Sequence, residues 1–388
     1  MAIPLQYNVR NLFVRKLTTT ITIVGIGLVV AVFVAMLALA QGFESALAGN
    51  GLPGNAIILR IPGNDELSSS ITREWAAIIN TQPEIAKGTD GQPVQVNEQV
   101  VVINLKRKST GGISNILTRG TSPRAFDLRP QVKLLSGRMF APGTDEIIVG
   151  KLISERFQGA ALGDRLKFGG REWTIVGVFS ADGRGFESEI WGDSEVFIPA
   201  FDRGEYQSST VRLADPAYFD ALQKRLEADK RLQVKVKRES RYYADQSVGV
   251  ANTIRGLGTF VTVIMALGAM FGALNTMYAA VSARRAEIGT LLALGFGRGS
   301  VLLSFVFESI LLASLGGLLG CLLALPVNGI STGTTNFATF SEVAFRITVT
   351  PAILGFGMIF ALFMGVVGGF FPARSAANSR IAESVRRA

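Results

Sequence analysis

The chain has 388 residues and a formal net charge of +9, from 39 Lys and Arg against 30 Asp and Glu. It contains no histidine and a single cysteine, Cys321, which excludes imidazole acid–base catalysis, Ser-His-Asp triads, an internal disulfide and a CxxC zinc or redox site. No GxxxxGK[ST] loop occurs, so no Walker site for ATP is encoded.

Residues 17–43 form the first of four stretches without Asp, Glu, Lys or Arg; the others are 256–283, 309–341 and 347–373. A helix crosses the hydrocarbon core with about 20 mostly apolar residues, and helices satisfy their own backbone there. Ala38-Leu39-Ala40 imitates a signal-peptide cleavage site, but cleavable apolar cores run to about 7–15 residues, so 17–43 reads as a retained anchor. The expected fold class is an integral membrane α-helical protein, one span plus three, with a large extracytoplasmic α/β domain of two lobes. The expected boundaries are a cytoplasmic segment 1–16, spans 17–43, 256–283, 301–327 and 350–371, and a domain 44–239. A stalk 240–255, a cytoplasmic segment 284–300, an extracytoplasmic loop 328–349 and a cytoplasmic tail 372–388 complete the reading.

Charge placement supplies the orientation. The flank before the first span carries +3, the loop between the second and third +2, and the tail +3, whereas the insert 44–255 balances 28 basic with 26 acidic residues. By the positive-inside rule both termini and the 284–300 loop are cytoplasmic. The charge makes no single basic patch, so no nucleic-acid partner is expected.

Within the insert, 56–61 is strand-like and 71–80 has helical spacing, with Ile71, Trp75, Ile78 and Ile79 on one side. Residues 92–105 predict a long strand or hairpin, and 165–168 and 172–179 flank Gly169-Gly170 as a hairpin. Short strands are expected at 195–198, 210–213 and 232–236. Asp215-Pro216 predicts a helix start, Asp capping and Pro fitting the first turn, for a helix over 217–229. Residues 240–255 are polar but free of Pro and run straight into the second span, as a stalk helix or a linker. The acids Asp182, Glu187, Glu189, Asp193 and Glu195 lie close in sequence. Without EF-hand order they read as a solvated, partner-facing loop rather than a metal site.

The spans read as packing helices. Gly268/Gly272, Gly316/Gly320 and Gly365/Gly369 have the GxxxG spacing that lets helix backbones approach. Glu308 is the one ionisable group near a span's interior: either a functional intramembrane acid or a carboxylate bonded to a helix end or to Arg284/Arg285. One span plus three does not divide into the repeats typical of secondary transporters.

Arg284-Arg285-Ala286-Glu287-Ile288-Gly289-Thr290-Leu291-Leu292-Ala293-Leu294-Gly295 resembles the cytoplasmic segment of MacB/FtsX-type ABC permeases. Phe307-Glu308-Ser309-Ile310-Leu311-Leu312, followed by Leu315-Gly316-Gly317-Leu318-Leu319-Gly320, resembles that family's third span, and Phe371-Pro372-Ala373-Arg374-Ser375-Ala376-Ala377 its C-terminal signature. In the insert, Leu135-Ser136-Gly137-Arg138-Met139-Phe140 and Trp173-Thr174-Ile175-Val176-Gly177-Val178-Phe179 are similar to its extracytoplasmic core. The resemblance implies mechanotransmission in a bacterial cytoplasmic (inner) membrane. Two permease copies, identical or sister chains, bind an ABC ATPase dimer, which alone holds ATP and Mg; this chain binds no cofactor and is not itself an enzyme. A separate ATPase subunit is implied, with an extracytoplasmic adaptor and membrane lipid as further partners. The coupling helix maps onto 285–294, which nominates Arg284, Arg285, Glu287, Ile288, Leu291 and Leu292 as ATPase-coupling residues. Ile288, Leu291, Leu292 and Leu294 also make an apolar set able to enter a groove, or to cover the ends of spans two and three. Two alternatives stand beside an export permease: an FtsX-like regulator that activates an extracytoplasmic enzyme, and a membrane-anchored sensor.

Overall fold

The computed structural model describes residues 16–378; the segment 1–15 and the end of the expected tail lie outside them. In chain order, helix α1 (Lys16–Ala48) is followed by β1 (Asn55–Arg60), α2 (Arg73–Asn80), β2 (Gln95–Lys106) and β3 (Ile113–Thr121). Next come α3 (Ala125–Leu128), β4 (Lys133–Gly137), β5 (Glu146–Gly150), α4 (Lys151–Arg156), β6 (Arg165–Phe168) and β7 (Arg171–Ser180). After a 3-10 turn come β8 (Glu189–Asp193), α5 (Ser194–Ala200), β9 (Ser208–Arg212), α6 (Phe219–Ala228) and β10 (Val234–Arg238). The remainder is α7 (Glu239–Ala283), α8 (Arg285–Ala293), α9 (Arg298–Ala324), the strands β11 (Ser331–Thr335) and β12 (Glu342–Arg346), and α10 (Pro351–Ala377). The chain divides into two compact units, one of Met1–Gln41, Asn252–Ile330 and Ile347–Ala388, the other of Gly42–Ala251 and Ser331–Arg346.

The first unit is helical. Among the described residues four helices, α1, α7, α9 and α10, are long and apolar enough to cross a membrane. Their seam buries Val30, Val34 and Ala38 of α1, Ala313 and Cys321 of α9, and Ala361 and Met364 of α10. Close approach depends on small residues, because apolar helices in lipid gain their association from packing. A Cβ on Gly320 would lie 2.7 Å from Val30 Cβ, one on Gly316 2.8 Å from Ile26 Cβ, and one on Gly365 3.0 Å from the Ser309 carbonyl oxygen. Gly369 sits against the Ser309 side chain. Gly268 and Gly272 differ: among the described residues nothing beyond their own stretch of helix lies within 4 Å of either added Cβ. Among the described residues this pair makes no close helix contact of the kind that Gly316, Gly320, Gly365 and Gly369 make.

The second unit is a mixed α/β domain around a ten-stranded sheet, ordered β10-β1-β9-β2-β3-β8-β5-β7-β4, with β6 paired to β7. Two half-sheets are joined through one strand: Gln95–Glu98 of β2 pair with β9, and Gln99–Lys106 pair with β3. The first half carries α2 and α6 over Ile58, Val211, Val234 and Val236. The second buries Ile147, Val149, Trp173, Ile175 and Phe197. Local signals act as their chemistry dictates. Thr72 caps α2 by accepting from the Trp75 amide, and Asp215 accepts from the Ala217 amide at a turn entering α6. Gly169 and Gly170 both have positive φ, 55° and 69°, which closes the tight β6–β7 hairpin.

Three expectations for this unit are corrected. The strand expected at 195–198 is α5, because Asp193 ends β8 and caps the helix by accepting from the Glu195 amide. The expected loop 328–349 holds the antiparallel pair β11–β12, Ser331 facing Arg346 and Thr335 facing Glu342. The acidic loop 182–195 is mostly ordered structure, and Glu187, Glu189 and Asp193 within it are buried. The stalk residues 240–255 are helical, lying inside the unbroken helix α7.

Candidate functional site

The residues nominated for coupling divide by burial. Arg284 follows α7 directly, and its Nη1 donates to Glu308 Oε2 on α9 at 2.9 Å, both side chains being only 7% exposed. Its guanidinium also lies 5.9 Å from the centre of the Phe305 ring. Ile288 is buried with Met277, Val281, Val301, Phe305 and Ala373. Leu291 and Leu292 are half-buried, whereas Arg285, Glu287 and Leu294 are exposed. The segment thus has an inner face that closes the helix ends and an outer face of Arg285, Glu287 and Leu294. Arg284 and Ile288 belong to the inner one. Glu308 is the partner of Arg284, which is the hydrogen-bonded reading of that acid.

The mixed unit is held at its centre by a buried ionic network that sequence reasoning missed. Arg119 Nε donates to Glu189 Oε2 at 2.8 Å, its Nη2 to Glu189 Oε1 at 3.1 Å, and its Nη1 to Glu66 at 2.7 Å and Glu98 at 3.2 Å. Arg129 grips Glu98 with two bonds, 2.6 and 2.7 Å, and donates from Nε to Glu239 at 3.0 Å. Glu239, the first residue of α7, also accepts from Asn55 Nδ2 at 2.8 Å and from the Leu52 amide at 3.1 Å. The start of the long helix, β1 and the segment after α1 therefore meet at one carboxylate. Burial alone raises the Glu98 carboxyl, but the Arg129 and Arg119 charges outweigh it and bring it down to about 2. For Glu189 burial prevails and pushes its carboxyl above the ordinary range despite Arg119.

A second ion cluster holds the β11–β12 hairpin. Glu342 Oε2 accepts from Arg107 Nε at 3.0 Å and Nη2 at 2.5 Å and from the Ser114 hydroxyl, while Arg156 Nη2 lies 2.7 Å from Oε1. The Asn336 amide donates to Gln246 Oε1 on α7 at 3.1 Å. Among the described residues no group of three or more His, Cys, Asp or Glu is placed to hold a metal ion. Within 182–195, Glu187 accepts from the Ala181 and Gly183 amides at 2.9 Å, and Glu195 pairs with Arg73 at 2.6 Å.

Two family models match, one described as the MacB-like periplasmic core domain over residues 19–229 and one as the FtsX-like permease C-terminal over 259–381. The chain belongs to the MacB/FtsX-like permease family. Its relatives include the macrolide export ATP-binding/permease protein MacB of Pasteurella multocida, 25% identical over 95% of this chain and 57% of that protein. The pyoverdine export ATP-binding/permease protein PvdT of Pseudomonas entomophila is 25% identical over 96% of this chain and 58% of its own length. The chain thus spans under two thirds of each. A solved extracellular domain of the noncanonic ABC-type transporter YknZ from Gram-positive bacteria aligns with 47% of this chain and 99% of its own, at 18% identity and a TM-score of 0.37. In this permease the core-domain match ends inside the mixed unit and the C-terminal match spans the end of α7 and α8 to α10. The chain is a membrane protein of this permease family, matched by a periplasmic core domain and a permease C-terminal domain.

Proposed function

We propose that this permease passes motion generated by a separate ABC ATPase, with its ATP and Mg, through the four spans to the α/β domain outside, in the service of export or of handling an envelope substrate. The observation that carries the reading is α7, one unbroken helix from Glu239 to Ala283. Glu239, at one end, is locked into the buried network by Arg129 and Asn55. At the other, Arg284 is paired with Glu308 and leads into the short α8. A continuous helix with a bonded partner at each end suits the delivery of displacement.

In this reading α8 and both termini face the cytoplasm, supported by the excess of Arg and Lys in those flanks. The outer face of α8, Arg285, Glu287 and Leu294, meets the ATPase, which works on a pair of permease chains. Export is supported by the names of two relatives, which concern those proteins' own cargoes. The test is a mild-detergent pull-down of the chain from its native membrane, with mass spectrometry and an ATPase assay. Recovery of a Walker-containing subunit in about equal amount, with hydrolysis, is the expected result. A preparation free of any ATPase refutes the proposal and leaves an anchored sensor as the better account.

A further inference from the structure

One row of side chains in the mixed unit departs from core chemistry. On the sheet face under α2 and α6, Ala56, Ile58 and Val211 are buried in an apolar core. Strand alternation puts Gln95, Asn97 and Gln99 of β2 on that same face, Gln95 opposite Val211 and Asn97 opposite Ser209. Three side-chain amides thus stand where a helix-covered sheet normally carries aliphatic groups. Gln99 is fully buried, and neither its Oε1 nor its Nε2 has a hydrogen-bond partner among the described residues. Burying an unbonded amide is costly, so packing does not account for the row.

Gln95 and Asn97 line an open groove of about 310 Å³, together with Arg73 and Asn80 of α2 and Tyr206. That volume is in the range of small-ligand sites. Part of its hydrogen-bonding capacity is already used. Gln95 Nε2 has the Ala76 carbonyl at 3.0 Å, Asn97 Oδ1 at 3.0 Å and Ser209 Oγ at 2.8 Å as acceptors, and Ser209 Oγ donates to Asn97 Oδ1 at 2.8 Å. Arg73 donates from Nη1 to the Tyr206 hydroxyl at 3.2 Å and from Nη2 to Glu195 at 2.6 Å, and the Tyr206 hydroxyl donates to Glu195. Gln95 Oε1, Asn97 Nδ2, Arg73 Nε and both amide atoms of Asn80 make no hydrogen bond among the described residues.

The unused groups are mixed, acceptor oxygens from Gln95 and Asn80 and donor nitrogens from Asn97, Asn80 and Arg73. Glu195 neutralises Arg73, so an anion drawn to the guanidinium would meet a carboxylate beside it. An apolar ligand would find only Ala76 and Ala77 in the lining. A hydroxyl group donates and accepts at once, so neighbouring hydroxyls match side-chain amides that offer both functions. We propose that this groove is a binding site for a neutral saccharide, a mono- or disaccharide unit of a glycan, held by Asn80, Gln95, Asn97 and Arg73. Binding needs no ATPase and is independent of the coupling role of α8.

The test uses the purified full chain in a detergent without a sugar headgroup, since a maltoside would compete for the groove. Titration with maltose, cellobiose and N,N′-diacetylchitobiose, read by saturation-transfer NMR and calorimetry, should show saturable binding of at least one, with Kd on the order of 1 mM. Asn80 is exposed, so Asn80→Ala should leave the apparent Tm unchanged and weaken that binding about threefold. Asn97→Asp keeps Oδ1, which accepts from Gln95 and Ser209, and removes the Nδ2 donors. It should weaken binding at least about tenfold while the circular dichroism stays that of the parent chain. Absence of saturable binding of all three sugars up to about 50 mM overturns the site. Equal affinity in the parent chain and both variants places the sugar elsewhere and overturns it too. Saturable binding of triglycine with none of the sugars assigns the groove to peptide and overturns the saccharide class.

Discussion

Arg284 and Glu308 form a buried ion pair, Nη1 to Oε2 at 2.9 Å, between the end of α7 and the middle of α9. Removing one partner of a buried pair leaves an uncompensated charge and typically costs about 3–5 kcal/mol, whereas replacing both by apolar groups of similar volume is far milder. Arg284→Met alone and Glu308→Leu alone should each lower the apparent Tm and the yield of folded chain in detergent, and the double variant should recover much of the loss. Equal damage in all three would show that the pair does not act as a unit. Charge reversal at Arg284 is accordingly a test of folding and not of ATPase docking.

Docking is tested on the outer face of α8. Arg285 and Glu287 are exposed, and substitutions of exposed residues usually change stability by no more than about 0.5 kcal/mol. The combined Arg285→Glu and Glu287→Lys variant should insert and fold normally yet lose most recovery of the ATPase in a pull-down. Reversing the face's charge order breaks any complementary contact. Normal recovery would remove α8 from the contact. Leu294→Asp, on the same face, should act in the same direction.

Much of this architecture was legible from residues acting over short distances. Uncharged runs located the long helices, Gly169-Gly170 the β6–β7 hairpin, and Asp215-Pro216 one helix start, because each signal is complete within a few positions. Glu195–Ile198 misled, since Val196, Phe197 and Ile198 have strand character and only the cap from Asp193 tips the segment into helix. The β11–β12 hairpin was hidden in a Gly- and Thr-rich sequence without alternation, and it is held by Arg107 and Arg156 from far away in the chain. The ionic network was invisible for the same reason. Arg119 meets Glu66 from 53 positions away and Glu189 from 70, and nothing in the sequence marks a charge as buried. For α8 the resemblance nominated one set of residues, and burial divided it into an inner and an outer face.

The Glu98 carboxyl gives the mixed unit a defined acid sensitivity. Its folded value of about 2 lies below the ordinary 4.5 because the Arg129 and Arg119 charges outweigh burial. A carboxyl depressed in the folded state stabilises fully above its unfolded value and loses that contribution as the pH falls through the folded one. Stability should therefore fall between about pH 4.5 and 2. Glu98→Gln should be destabilised at neutral pH, because Arg129 loses its two-pronged partner, and should show a flatter acid limb. Intrinsic tryptophan fluorescence against pH reads both effects, with Trp191 bonded to Glu189 in the same network. An unchanged acid limb in the variant would assign the transition to other carboxylates.

The glycines of the spans separate packing inside the chain from packing outside it. At Gly320 even a methyl group meets Val30 at 2.7 Å, so Gly320→Leu must push α1 and α9 apart. Overpacking of this kind costs about 1–3 kcal/mol, and a fall in apparent Tm and in folded yield is the expected outcome. Gly268→Leu and Gly272→Leu face open space in the single chain and should leave its stability within about 0.5 kcal/mol. Size-exclusion chromatography of the same variants in detergent then decides what that face does. If both are stable yet shift the assembly toward single chains, the open side of α7 is a seam between permease copies. If they are stable and the assembly is unchanged, the face meets lipid. A large loss of stability in the isolated chain from either substitution contradicts the open surroundings of Gly268 and Gly272.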